Sequence, residues 1–143
     1  MRRNSAGFSL IELLVALGII ALVSAIAIPQ IMSALDRSRQ RRTMSDMRSI
    51  ASANSMHFLD EGVFVDGLGD LSPDYFPLTL RNDGWGTRFI YLKWGFLGDQ
   101  YWLWSRGADG AIGPFPPQPW VSEPTEGDIV MINQTFLIAP TGS

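Results

Sequence analysis

The chain has 143 residues, of which 46% are hydrophobic and 17% charged, and a net charge of −3. That size and composition suit a single folded domain, exclude a disordered chain and give no global basic signature for nucleic acid. The chain has no cysteine and a single histidine, His57, which excludes disulfides, zinc–thiolate sites, iron–sulfur clusters, thiol nucleophiles and multi-histidine metal centres.

Residues 1–7 are short and polar, with Arg2 and Arg3. Phe8 to Ile28 follows, apolar except for Ser9, Glu12 and Ser24. As a helix this run spans about 30 Å, the thickness of a bilayer hydrocarbon core. Three readings compete for it. A secretory signal peptide would be cut after the small-x-small pattern of Ala25-Ile26-Ala27, leaving a secreted soluble binding or enzymatic domain. A plain membrane anchor is the second. The third is a leader cut before the apolar run. The flanking arginines do not settle orientation, since Arg37, Arg39, Arg41 and Arg42 on the far side outnumber Arg2 and Arg3. They begin nine residues past Ile28, however.

Pro29 lacks an amide donor and crowds the preceding turn, so it bends or opens the helix locally. From Gln30 to about Leu59 there is no glycine or proline. There Met44, Met47, Ile50, Ala51, Asn54 and Phe58 recur at three- and four-residue steps, an amphipathic stripe. Gly62 is the expected stop. The reading is one long helix from Phe8 to Leu59, apolar all round in its first half and one-sided in its second. That first half must be covered by lipid or by copies of itself.

Arg37, Arg39, Arg41, Arg42 and Arg48 form the one basic cluster. It reads as a solvated helix face, as a contact for acidic surface on a neighbouring subunit, or as a DNA contact. The lack of interleaved aromatics makes the last the weakest. From Asp60 onward eleven acids face four bases, so attraction between body and stem is electrically sensible. No base or nucleophile arrangement can be built around His57, and enzymatic activity is not expected.

Residues 60–87 are rich in Gly, Pro and Asp, a long irregular connection that Phe64, Leu68, Leu71, Tyr75 and Phe76 can anchor. Strands are predicted over Arg88–Trp94 and Gln100–Ser105, joined across Gly95 to Asp99. Two more are predicted over Asp128–Ile132 and Thr135–Ile138, joined through Asn133-Gln134. Trp102 and Trp104 share one face of their strand and Leu103 the other. Tryptophans in and beside the first hairpin read as core and rim packing more readily than as a ligand platform. The fold class is α+β: a long N-terminal helix, its apolar half exposed in the monomer, with a small antiparallel sheet packed against it.

Two stretches carry a family resemblance. Gly7-Phe8-Ser9-Leu10-Ile11-Glu12-Leu13-Leu14-Val15, followed by Ala25-Ile26-Ala27-Ile28-Pro29, resembles the processing region of type IV pilins and type II secretion pseudopilins. Asp83-Gly84-Trp85-Gly86 with Phe89-Ile90-Tyr91, then Trp104-Ser105-Arg106-Gly107-Ala108-Asp109-Gly110, with Asp128-Ile129-Val130 downstream, resembles the body of major pseudopilins. The resemblance implies a pilin-like fold and cleavage between Gly7 and Phe8 by prepilin peptidase, with methylation of the new Phe8 amine. Residues 1–7 would be the leader, 8–29 the membrane and filament helix, and 30–143 a periplasmic domain on a bacterial inner membrane. The subunit would lie in the membrane before assembly and then form a homo-oligomeric helical filament. Its other implied partners are an inner-membrane assembly platform and minor pseudopilins. The close alternative is a type IV pilus subunit for adhesion, motility or DNA uptake. Many pilins staple this region with a cysteine pair, which this chain lacks.

Glu12 is expected to carry assembly. A carboxylate inside a membrane span is unfavourable by a few kcal/mol unless paired. The Phe8 amine of a neighbouring subunit would supply that partner, and the pair would fix axial register, because a wrong register leaves a charge buried alone. Pro29 is grouped with this pair. The resemblance also implies calcium, carried over to the Leu103 carbonyl, Ser105, Asp109 and Asp128, with Glu123 and Glu126 as further acids. Calcium takes about six to eight oxygens. The stretch from Ile112 to Pro124 departs from the family: it is proline-rich, which favours extended backbone and offers order without an ion.

Overall fold

The computed structural model describes residues 8–71, 74–75, 82–95, 98–112 and 128–139. The elements are α1 (Leu10–Glu61), β1 (Ile90–Trp94), β2 (Gln100–Ser105), β3 (Ile129–Ile132) and β4 (Thr135–Ile138). The chain divides into two compact units, Met1–Asp36 and Arg37–Ser143.

In the first unit, α1 opens where the Ser9 carbonyl takes the amides of Glu12 and Leu13. None of its described side chains is buried within the chain. Leu10, Ile11, Leu13, Leu14, Val15, Leu17, Ile19, Ile20, Leu22 and Val23 point in all directions around the axis, and all are exposed. Pro29 sits inside the helix, and the Ser33 hydroxyl donates to the Pro29 carbonyl at 3.0 Å. By length and composition this helix can cross a membrane.

In the second unit, one face of α1 supplies Met47, Ile50, Ala51 and Ala53 to the core, where they meet Val65, Leu71, Phe89, Tyr101, Leu103, Ile129 and Met131. The predicted stripe is borne out, with Met44 packed at its edge, and Thr43 is added as a buried member. The helix ends at Gly62, whose positive φ of 77° suits a residue without Cβ. Phe64, Leu68 and Tyr75 pack on the core as expected. Phe76 lies outside the described residues.

The sheet is an antiparallel meander in the order β1-β2-β3-β4. Tyr91 faces Leu103, which faces Met131. β2 and β4 have the predicted bounds, whereas β1 begins two residues later than expected and β3 one residue later. The β3–β4 turn is Asn133-Gln134, both with positive φ (42° and 71°), as a two-residue hairpin turn demands. The Asn133 side-chain oxygen accepts the Tyr101 amide at 2.9 Å, and the Gln134 amide donates to the Ser55 hydroxyl. The hairpin tip is thereby tied both to β2 and to α1.

Asn54, Tyr91 and Val65 form a closed polar circuit in this unit. Asn54 donates to the Tyr91 hydroxyl at 3.0 Å and accepts the Val65 amide at 3.2 Å, while that hydroxyl donates to the Val65 carbonyl at 3.0 Å. Burial pushes the Tyr91 hydroxyl up to about 12 against the opposing bond from Asn54, and burial likewise pushes the Tyr101 hydroxyl up to about 12. The ordinary value is 10.0. The unfolded chain therefore gives up these protons first, so their contribution to stability is full below about pH 10 and is lost as pH rises toward 12. Stability measured by denaturation between pH 8 and 12 should fall in that window. Tyr101→Phe should flatten the fall; an unchanged profile in that variant would remove Tyr101 as a cause.

Candidate functional site

Two regions carry the residues singled out by sequence. The first is the N-terminal end of α1. Phe8, just ahead of α1, and Glu12, in its first turn, are both exposed, and no basic side chain of the described residues is paired with Glu12. Gly7 lies outside the described residues. An uncompensated carboxylate on an otherwise apolar helix is unfavourable in hydrocarbon. Its partner must come from outside the chain or from the amine that cleavage before Phe8 would create.

The second region is the end of β2 and the loops beside it. Its centre is Asp83, to which sequence reading gave no site role beyond a turn and a place in the family-like stretch Asp83-Gly84-Trp85-Gly86. Asp83 is buried, with 4% of its surface exposed. One carboxylate oxygen, Oδ1, accepts the amides of Trp85 at 3.0 Å and Thr87 at 2.9 Å. The other, Oδ2, accepts the Ser105 hydroxyl at 2.7 Å. The next residue, Gly84, donates its amide to the Thr43 hydroxyl at 2.8 Å, and Thr43 in turn donates to the Arg39 carbonyl. A Cβ on Gly84 would stand 2.5 Å from that carbonyl oxygen, so the position admits no side chain without a shift. The available signal was Asp followed by Gly-Trp-Gly: an Asx-type turn in which the glycine permits close backbone approach.

This arrangement bears on the four residues assigned to calcium. Leu103 is a fully buried residue of a strand flanked on both sides, so its main-chain groups belong to the sheet ladder. The Ser105 hydroxyl serves Asp83 and also accepts the Gly107 amide at 3.3 Å. Asp109 is exposed, and its Oδ1 accepts the Ala111 amide at 3.0 Å. Asp128 is buried, 4% exposed, immediately before the residue that faces Ser105 across the sheet. Among the described residues no three His, Cys, Asp or Glu side chains gather closely enough to hold a metal ion. Those four residues do not complete a calcium cage by themselves, and Glu123 and Glu126 lie outside the described residues.

His57 has a structural part: its Nδ1 is 3.0 Å from the Val63 carbonyl, and its ring meets Tyr75 edge-on. The tryptophans divide between roles. Trp104 is buried, Trp85 packs on the core, and Trp94 stands half-exposed against Trp102.

Residues 2–28 match the prokaryotic N-terminal methylation motif. The chain is 32% identical over 128 residues to the type II secretion system core protein G of Pseudomonas aeruginosa, covering 78% of this chain and 89% of the relative. It is 32% identical over 130 residues to that of Klebsiella michiganensis, with 79% and 91% covered, and 28% identical over 138 residues to that of Dickeya chrysanthemi, with 90% and 87% covered. The chain belongs to the type II secretion system core protein G family. No solved structure matches it. The match to core protein G relatives extends well past the N-terminal motif, so the body around Asp83 and Ser105 belongs to the likeness as well as the helix.

Removing the Asp83 carboxylate leaves two amides and one hydroxyl without their acceptor. Asp83→Ala should lower stability by about 2–4 kcal/mol, and Asp83→Asn, which keeps the Oδ1 acceptor, by clearly less. Equal losses in chemical denaturation would show that the acceptor is not what matters there.

Proposed function

We propose that this protein is the structural subunit of a pseudopilus, a filament that drives protein export in a type II secretion system, and that it has no catalysis of its own. The observation that carries the reading is the combination of the methylation motif over residues 2–28 with 32% identity to core protein G over most of the chain. The exposed apolar helix supplies the physical reason. A surface of that size is stable only in lipid or against copies of itself.

In this reading prepilin peptidase cuts between Gly7 and Phe8, and the Phe8 amine is methylated. Residues 1–7 are the leader, 8–29 the membrane and filament helix, and 30–143 the periplasmic domain. The subunit rests in the bacterial inner membrane as a single-pass protein. An assembly platform in that membrane moves it into a periplasmic filament, with minor pseudopilins among its partners. The Phe8 amine of one subunit pairs with the Glu12 carboxylate of the next, which removes the isolated charge and sets register. Pro29 gives the packed helix a place to bend or open.

Deleting the gene should abolish export of secreted proteins while leaving surface pili intact; the reverse pattern would make it a pilus subunit. Glu12→Ala should fail to restore export and should accumulate as an inserted monomer whose mature N-terminus is methylated Phe8. Normal filaments from that variant would remove Glu12 from assembly, and a mature N-terminus at Ile28 would make the chain a secreted domain.

Calcium at the loop after Asp109 is proposed on the family resemblance, with Asp109 and Asp128 as its acids. A bound ion stabilises the folded state by mass action. Adding a chelator should therefore lower the melting temperature by several degrees, and an unchanged melting curve rules the ion out.

A further inference from the structure

The second unit carries its charge in two separated blocks. From Arg37 to Arg48 there are five arginines and one acid, Asp46. From residue 49 to residue 80 there is no lysine or arginine, and Asp60, Glu61, Asp66, Asp70 and Asp74 fall there. Both blocks lie along or just beyond α1.

The arginines are not equivalent. Arg42 is tied to Asp46, Nε to Oδ2 at 3.6 Å. Arg37, Arg41 and Arg48 fall within about 40° of one another at 3.6 residues per turn, on the side of α1 away from the buried Thr43, Ile50 and Asn54. All three are exposed. Arg37 and Arg41 make no ion pair among the described residues. Arg48 is steadied by Phe136, with its guanidinium 5.2 Å from the ring centroid. The stripe is thus a standing array of cations whose upper member is held in place.

The acidic block is compensated only in part. Asp66 is paired with Lys93, and Asp60 accepts the Tyr75 hydroxyl at 2.7 Å. Glu61 and Asp74 are exposed and have no basic partner among the described residues. Glu61 follows Asp60 in the chain and Asp74 precedes Tyr75, so the Tyr75–Asp60 hydrogen bond brings the two stretches that carry these acids together.

We infer that the Arg37–Arg41–Arg48 stripe docks the acidic end, Glu61 and Asp74, of a second copy of this chain. Charge complementarity selects the occupant, and geometry selects the arrangement. Arg41 and Glu61 are separated by about 30 Å along the helix. Copies that share a membrane orientation lie parallel, so opposite blocks meet only when one copy is displaced along the axis by about that distance. Such a contact is head-to-tail and does not close on itself, which is the geometry of an open filament. This inference rests on the filament reading above.

An anionic lipid surface is the competing occupant. From Arg37 to Arg48 the stripe rises about 16 Å, whereas a headgroup layer is only about 5–8 Å deep. Lipid would therefore meet one end of the stripe at most.

The test uses the full chain in cells that assemble it. Arg37→Glu with Arg41→Glu should reduce sedimentable filament at least about tenfold, the consequence of a little over 1 kcal/mol of lost attraction per contact. Glu61→Lys with Asp74→Lys should do the same. All four substitutions together restore attraction with the signs exchanged and should restore filaments. These side chains are exposed, so each variant should melt as the parent does. If either double variant assembles normally, the inference is wrong. If the fourfold variant stays monomeric while folded and inserted, it is also wrong, and recovery of vesicle binding by arginine alone then assigns the stripe to lipid.

A second readout uses the absence of native cysteine. Arg41→Cys combined with Glu61→Cys should give an oxidised ladder of multimers. One chain cannot bridge the two sites, since a disulfide spans only about 4.4–6.8 Å between Cα atoms. Filaments without a ladder overturn the contact. A parent chain that forms no filament under any condition overturns the functional reading instead.

Discussion

The Asp83 carboxylate is the constraint on which the second unit depends. It gathers two amides of its own loop and the hydroxyl at the end of β2, while its neighbour Gly84 rests on the α1 backbone. Three parts of the chain that are distant in sequence therefore share one pair of adjacent residues. A buried carboxylate is tolerable only because all these donors are present. The same donors would be orphans without it. This mutual dependence makes the loop before β1 a structural member, although it contains no regular element of its own.

Other buried polar groups repeat the pattern on a smaller scale. Asn54 joins α1 to β1 and to the loop at Val65, Thr43 joins α1 to Gly84, and Asn133 joins the last hairpin to β2. Each sits where two elements meet, and each fixes their relative register more sharply than apolar contact, which tolerates sliding. A unit held this way, with the core of Met47, Ile50, Tyr101, Leu103 and Ile129, keeps its surface charges in a fixed arrangement without a disulfide.

The sequence signals were strong where periodicity or turn chemistry acted alone. The stripe on α1, the stop at Gly62 and the two-residue turn at Asn133-Gln134 followed from spacing and from the left-handed backbone each stop or turn requires. The bounds of β2 and β4 followed from alternation. Strand order, and the pairing of β2 with β3 across a long connection, did not, because pairing is a tertiary property that leaves no local periodicity. The role of Asp83 was hidden for the same reason: an Asp-Gly pair reads as an exposed turn unless one knows that Ser105 and Thr43 converge on it. The carry-over of Ser105 as a metal ligand met a hydroxyl already engaged by that carboxylate. Glu12 stood out in sequence because one charge in an apolar run has no local excuse.

The bare apolar surface of the first unit, from Leu10 to Leu35, has a consequence for the direction of assembly. Moving such a helix from lipid to a bundle of its own copies exchanges one hydrocarbon environment for another, so little hydrophobic free energy separates the two. The polymer and the membrane are then rival solvents of nearly equal quality. Growth needs an outside supply of work or a polar bias, and a filament left unsupported can dissolve back into the bilayer from which it came.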